Sequence, residues 1–135
     1  MLRPVEKLRG SFNREDGRSP LREGLEDTLA NLRGTAEAIE PEGLSRIVAR
    51  LTSARCVYVM GFGLSAHLAG LLTLGLQPFC RQLVNVVEFG GTENAAGRLM
   101  ALGPEDVLIA ISFPRYATDA VHLTRYAADR KAAIV

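Results

Sequence analysis

The sequence has no tryptophan, only two cysteines and almost no net charge, and the last two features each exclude a class of protein. Cys56 and Cys80 do not have the Cys-x-x-Cys spacing of a zinc site or a redox motif, so we expect two buried thiols, no metal and no cofactor. Sixteen basic residues against 15 acidic ones give a net charge of +1, which excludes a chain that coats nucleic acid.

A long apolar run is also missing. The first residues, MLRPVEKLRGSFNREDGRS, are charged throughout and indicate no signal peptide, and no later stretch approaches the ~18 apolar residues of a transmembrane helix. We therefore expect a cytoplasmic protein with no membrane partner. The hydrophobic fraction, 47% of 135 residues, is sufficient for one domain with a buried core and no disulfide or metal.

Two helices are predicted ahead of the main domain. Residues 1–20 combine glycine, serine and asparagine with interleaved charges, which indicates a linker or arm. From Pro20 onward apolar residues recur at steps of three and four, as in an amphipathic helix, until Pro41 interrupts the pattern and starts a second helix. The leading helices thus account for residues 21–54.

From residue 55 to the end, apolar runs alternate with helical segments. Strands are predicted at 55–60, 83–88, 106–111 and 132–135, and helices at 64–77, 92–102 and 115–130. This alternation is typical of an α/β fold, with a parallel sheet and helices on both faces. The short last strand would leave an open edge at the end of the chain, so we expect marginal stability or self-association.

Candidate ligand-binding residues follow the strands, because ligands of an open parallel sheet bind beyond the carboxyl ends of its strands. After the first strand, Gly61, Gly63 and Ser65 lead directly into a helix. Glycines permit a tight turn there, and the helix N-terminus together with the serine hydroxyl suits a phosphate or another anion. The simpler alternative is a tight strand-to-helix turn that Ser65 caps.

Two further loops carry polar residues. The third strand is followed by Ser112, Arg115 and Thr118, and the arginine fork suits phosphate oxygens. The second strand ends at Glu88, which could accept hydrogen bonds from sugar hydroxyls. Because the first and third strands are expected to be neighbours, their two loops are predicted to share one anion site. For each of these polar residues taken alone, the alternative is a solvated loop residue that binds no ligand.

These segments resemble a known family. The runs VYVMGFGLSAHLAG and DVLIAISFPRYATDAVHLTRYAADRKAAIV resemble the SIS (sugar isomerase) domain of phosphosugar-binding proteins, and ISFPRY resembles that of RpiR/MurR-type transcriptional regulators in particular. The leading helix LREGLEDTLANL also resembles the segment before that domain. The resemblance begins near residue 20 and implies a flavodoxin-like fold, a non-catalytic sensory role, and dimers or tetramers.

The resemblance also implies a ligand and its site. It places a sugar phosphate or amino-sugar phosphate between the loop of Gly61, Gly63 and Ser65 and the loop that begins at Ser112. The wider family often continues that second loop as Ser-Gly-x-Thr, whereas Ala117 here replaces a hydroxyl residue, and we expect Arg115 to compensate. Residues 55–135 resemble a partial SIS domain, and we expect DNA to be bound only through a helix-turn-helix domain that this chain lacks.

Two other functions remain open. A sugar-phosphate isomerase on the same fold would need a base and an acid, for which Glu88, Glu93 and His67 are the candidates. A dinucleotide-binding domain would take Gly61-x-Gly63-x-x-Ala66 as its fingerprint, with Glu88 as the acidic residue after the second strand.

Overall fold

The structure, a computed structural model, describes residues 19–88 and 91–135, except for the side chain of Thr92. Most of the predicted arm, residues 1–18, lies outside the described residues. The described chain forms five helices and four strands, which are α1 (Pro20–Ala38), α2 (Pro41–Ser53), β1 (Val57–Gly61), α3 (Leu64–Leu76), β2 (Leu83–Asn85), α4 (Gly91–Leu99), β3 (Val107–Ile111), α5 (Thr118–Asp129) and β4 (Ala133–Ile134).

The strands form one parallel sheet in the order β2-β1-β3-β4. Because β1 and β3 are buried from both sides, their sequences VYVMG and VLIAI are continuous apolar runs without polar alternation. The predicted α/β fold with a parallel sheet is confirmed.

Successive side chains of β1 enter two separate cores. Val57 and Val59 pack with α2 and α3, in a core that also contains Leu51, Ala69 and Leu72. Tyr58 and Met60 point to the opposite face, where the core contains Ala95 and Leu99 of α4 and Ala127 of α5. The helices that follow the strands thus lie on both faces of the sheet, as the alternating sequence pattern predicts.

Strand β2 is shorter than predicted. It ends at Asn85 instead of Glu88, although the amide of Val86 still donates to the carbonyl of Val59 in β1. The side-chain Oδ1 of Asn85 then accepts from the amide of Val87 at 3.3 Å, which supports a turn in place of a longer strand. The apolar pair Val86 and Val87 therefore belongs to the start of a loop.

An ion pair lies at the amino-terminal edge of the sheet. The Asp106 side chain is fully buried ahead of β3 and accepts hydrogen bonds from Nε of Arg55 at 3.0 Å, from Nη2 of Arg55 at 2.5 Å and from the Gly103 amide at 2.8 Å. Arg55 also donates to the carbonyl of Ala101. The Asp106 carboxylate raises the pKa of the Arg55 guanidinium, which is charged at any physiological pH.

Both cysteines are free thiols. Cys56 is buried and Cys80 is half-buried, and burial is the main cause that raises the pKa of each thiol above its ordinary value. Burial likewise raises the pKa of the Tyr58 phenol. Raised thiol pKa values disfavour the reactive thiolate, so these cysteines have the character of core residues.

The chain divides into two compact units at Pro41 and Glu42. In the first unit, α1 is an amphipathic helix with no buried residue, and its exposed leucines are Leu21, Leu25, Leu29 and Leu32. The second unit contains the sheet. None of the described helices is both long enough and apolar enough to cross a membrane.

Candidate functional site

The carboxyl ends of β1 and β3 lie side by side at one edge of the sheet. Their parallel pairing places Gly61, the last residue of β1, opposite Ile111, the last residue of β3. The chain moves from β1 outward to β2 and then crosses to β3 on the other side, so the strand order changes direction between β1 and β3. Ligands of such sheets bind at this switch point, and the prediction that the first and third strands are neighbours is confirmed.

The first loop is a tight turn that requires glycine for two different reasons. A Cβ atom on Gly61 would lie 2.6 Å from the carbonyl carbon of Ser65 and still closer to the carbonyl oxygen. Gly63 instead has open space around it but adopts φ 57° and ψ −126°, a region almost confined to glycine. Together the two glycines bring the start of α3 against the end of β1.

Ser65 lies inside this turn, in the first turn of α3. Its amide donates to the carbonyl of Phe62 and the Ala66 amide donates to the carbonyl of Gly63, both at 3.1 Å. Since these two amides already have acceptors, an anion bound here would interact with the Ser65 hydroxyl, the other amides of the turn and the positive end of the helix dipole. Ser65 is only 5% exposed, so it belongs to the packed part of the turn.

The second loop, residues 112–117, lies mostly exposed beyond β3. Arg115 has φ 69°, the left-handed conformation that non-glycine residues rarely adopt, and its side chain is exposed. The exposed aromatic residues Phe113 and Tyr116 flank it. Such backbone outliers cluster at functional sites, although Lys131, two residues after α5, has a similar φ of 61°.

The start of the following helix differs from the prediction. Helix α5 begins at Thr118 and not at Arg115, because the left-handed Arg115 and the extended Ala117 cannot belong to a right-handed helix. Pro114 also biases Phe113 toward an extended conformation. Arg115 is therefore a loop residue, whereas Thr118 is the exposed first residue of the helix.

Glu88 lies apart from the other candidates, after the outer strand β2. Its Oε2 atom is 3.7 Å from Nη1 of Arg98 in α4, and Arg98 also donates to the carbonyl of Asn85. Arg98 could not be predicted as a site residue from the sequence, because a lone arginine in the last turn of a helix has no distinguishing pattern. The structure thus brings six candidates to neighbouring strand ends and places Glu88 next to Arg98; the six are Gly61, Gly63, Ser65, Ser112, Arg115 and Thr118.

The described residues also line two open clefts that contain none of the candidate site residues. One, of about 320 Å³, is lined by residues that include Arg50, Ser53 and Asp106, and the other, of about 390 Å³, lies between α2 and β4. In the first of these clefts Asp106 already pairs with Arg55. Since neither cleft is lined by a candidate residue, neither is part of the candidate site.

Comparisons with known proteins agree with this geometry. The family model of the SIS domain matches residues 50–135. Among solved structures, the sugar isomerase domain of the RpiR transcription factor from Sphaerobacter thermophilus is similar to the chain, with a TM-score of 0.74 and 30% sequence identity over 87% of this chain and 64% of that chain. The search of curated proteins gave no match.

A second solved structure supports the fold. It is the Vibrio vulnificus NanR protein complexed with ManNAc-6P, and it aligns with a TM-score of 0.75 and 21% identity over 87% of this chain and 44% of that chain. The chain therefore spans less than two thirds of the length of the structures it matches. Both of these similar proteins carry the fold seen here.

Proposed function

Because the chain belongs to the SIS domain family, we propose that it is a sensory domain that binds a sugar phosphate or an amino-sugar phosphate. The observation that carries this proposal is the pair of loops at the ends of β1 and β3. One supplies a glycine turn, a buried serine and a helix N-terminus, and the other supplies an arginine. Both suit a phosphate group, whereas the sugar would extend beyond the strand ends.

The similar structures support a regulatory role. One is described as an RpiR transcription factor, and NanR is described as complexed with ManNAc-6P, an amino-sugar phosphate. In this proposal the chain is not an enzyme, it assembles as a dimer or tetramer, and any effect on DNA passes through a separate DNA-binding domain. Ligand binding would then change the conformation or assembly of the sensory domain.

A panel of ligands tests this proposal by thermal shift. A ligand that binds only the folded state stabilises it by about 2.7 kcal/mol at one hundred times its Kd, which corresponds to a Tm increase of roughly 5–20 °C for a domain of this size. We expect this increase with hexose and amino-hexose phosphates and none with the corresponding free sugars.

The same panel separates the alternatives. Stabilisation by NADH but not by any sugar phosphate would indicate a dinucleotide-binding domain. Conversion of an aldose phosphate to a ketose phosphate, followed by NMR, would indicate an isomerase. An absence of response to every sugar phosphate would contradict the proposal.

Arg115 provides a sharper test, because the effect of its backbone conformation on stability and the effect of its side chain on binding can be measured separately. Its left-handed φ of 69° favours glycine, so Arg115→Gly removes the guanidinium and relieves backbone strain in one substitution. We expect unchanged or slightly higher stability, by up to about 1 kcal/mol, and at least about tenfold weaker sugar-phosphate binding. Isothermal titration and urea unfolding measure the two effects.

The charge-matched control for Arg115→Gly is Arg125→Ala. Alanine is chosen because glycine at position 125 would also weaken the helix. Arg125 is exposed in α5 and its removal lowers the net charge by the same amount. If Arg115→Gly binds sugar phosphate as tightly as the Arg125→Ala control, Arg115 does not contact the phosphate.

A further inference from the structure

The turn that carries Glu88 lies beside the glycine turn that follows β1. Strand β2 pairs with β1 on the side away from β3 and ends at Asn85. Neighbouring strands are about 4.8 Å apart, so the turn after β2 is the neighbour of the Gly61 turn at the carboxyl edge of the sheet. The order along this edge is therefore the turn of Glu88, the turn of Gly61 and the loop of Arg115.

Contacts with two helices hold the start of the turn after β2. On one side, the Asn85 Oδ1 atom accepts from the Val87 amide at 3.3 Å, and the Nδ2 atom lies 3.7 Å from the position of a Cβ on Gly70 in α3. On the other side, Nη1 of Arg98 in α4 donates to the Asn85 carbonyl and lies 3.7 Å from Oε2 of Glu88. The backbone that leads to Glu88 is thus anchored from both sides.

The Glu88 carboxylate itself remains accessible. Val86 is 1% exposed in the core that contains Ala95 and Leu99, whereas the Glu88 side chain is 53% exposed and the Arg98 side chain is 31% exposed. An accessible group on an anchored backbone loses little conformational freedom when it binds a ligand. The turn therefore presents a preorganised hydrogen-bond acceptor next to the candidate site.

We propose that Glu88, positioned by Arg98, selects sugar phosphates that carry hydroxyl or amino groups and no second anionic group away from the phosphate. This inference rests on the proposed function and names the ligand class of the same site. A carboxylate only accepts hydrogen bonds, and a sugar hydroxyl or amino group can donate one. A second phosphate or a carboxylate on the ligand is also an acceptor, so it would face Glu88 without a proton between them.

The order of charges along the sheet edge orients the ligand. Arg115 follows β3 and attracts the phosphate, whereas Glu88 follows β2 on the other side of the glycine turn and repels it. The phosphate then lies between the loops after β1 and β3, and the sugar extends over the end of β2. In this arrangement Arg98 does not contact the ligand. It is a positioning residue, because its guanidinium links the Asn85 carbonyl to the Glu88 carboxylate.

Isothermal titration of the full chain tests the selectivity of Glu88, with hexose monophosphates, the corresponding hexose bisphosphates and inorganic phosphate as probes. We expect the unchanged protein to bind a hexose monophosphate at least about tenfold more tightly than the bisphosphate. Glu88→Gln introduces an amide donor of the same size, so it should reduce this affinity ratio by at least about tenfold. Inorganic phosphate reaches only the phosphate loops and should bind both proteins equally.

Glu105→Gln is the matched control for Glu88→Gln. Glu105 is exposed just before β3, at the other edge of the sheet, and the substitution removes the same charge. This variant should keep the affinity ratio of the unchanged protein. Circular dichroism and urea unfolding establish that each variant is folded at the temperature of the titration.

A double-variant cycle tests the positioning role of Arg98. Arg98→Ala should reduce the affinity ratio about as far as Glu88→Gln does, and Arg98→Lys should restore part of it. Because Arg98 acts through Glu88, the double variant should reduce the ratio no further than either single variant. A purely structural role would lower the free energy of unfolding in Arg98→Ala and leave the ratio unchanged, and that result, or additive effects in the double variant, would overturn the assignment.

The outcomes also separate this inference from the proposed function. An unchanged protein that binds hexose bisphosphates as tightly as monophosphates, or an unchanged ratio in Glu88→Gln, would overturn the selectivity inference and leave sugar-phosphate binding intact. Failure of every hexose monophosphate to bind the unchanged protein would overturn both.

Discussion

Replacement of Gly61 by alanine is expected to lower the free energy of unfolding by about 2–3 kcal/mol, the upper part of the range for an overpacked site. The added Cβ would lie 2.6 Å from the Ser65 carbonyl carbon, which is a backbone atom of helix α3. A flexible side chain could rotate away from such a contact, but here α3 must move relative to β1. Urea unfolding measures this loss.

The same substitution should weaken sugar-phosphate binding by more than about tenfold, if Ser65 and the start of α3 form the phosphate loop. A shift of α3 displaces the Ser65 hydroxyl and the helix N-terminus together, because both begin directly after the turn. Isothermal titration at a temperature where the variant remains folded measures this effect separately from stability.

Gly97→Ala is the control for Gly61→Ala. Gly97 lies within α4, and nothing is within 4 Å of its Cβ position. Alanine is a better helix former than glycine, so this variant should gain about 0.5–1 kcal/mol of stability and bind ligand unchanged. Equal stability for Gly61→Ala and the unchanged protein would show that the turn does not need glycine.

Removal of the Asp106 carboxylate is the second substitution with a large expected effect. Asp106→Ala should lower the free energy of unfolding by about 2–3 kcal/mol, because the Gly103 amide and the Arg55 guanidinium lose their acceptor and a cavity is left. The Arg55 side chain is 50% exposed and regains water, which keeps the cost below that of an ion pair buried on both sides.

Glu105→Ala removes the same charge from the neighbouring, exposed position. It should change stability by no more than about 0.5 kcal/mol. Urea unfolding of both variants at neutral pH measures the difference. If the two variants lose stability equally, the Arg55–Asp106 pair does not support the amino edge of the sheet. Ligand affinity should remain unchanged in both, since this pair lies at the opposite edge from the candidate site.

The order of helices and strands could be predicted from the sequence because burial leaves a direct pattern. Strands β1 and β3 are covered on both faces, so they are continuous apolar runs, and helix α3 between them is rich in leucine and alanine, which favour helices. The boundaries were less predictable. Strand β2 ends early because the Asn85 side chain supports a turn there, and this turn follows an apolar pair that continues the strand pattern.

The candidate site could be predicted in its composition but not in its geometry. Glycine and serine after β1 indicated a turn into a helix, yet the separate requirements of Gly61 and Gly63 depend on coordinates, namely a close backbone approach in one case and a positive φ in the other. The same applies to Glu88, whose pairing with Arg98 joins two segments that are distant in sequence. Contacts of this kind leave no periodic signal.

The sequence by itself determined the fold class, because the alternation of apolar strands and helical segments is a local pattern that can be identified segment by segment. It also determined which residue types follow β1 and β3. Only the tertiary structure decided that Gly61 lies opposite Ile111 and that Arg115 adopts a left-handed conformation in its loop. The physical reason is that strand order and loop dihedral angles depend on which distant segments pack together.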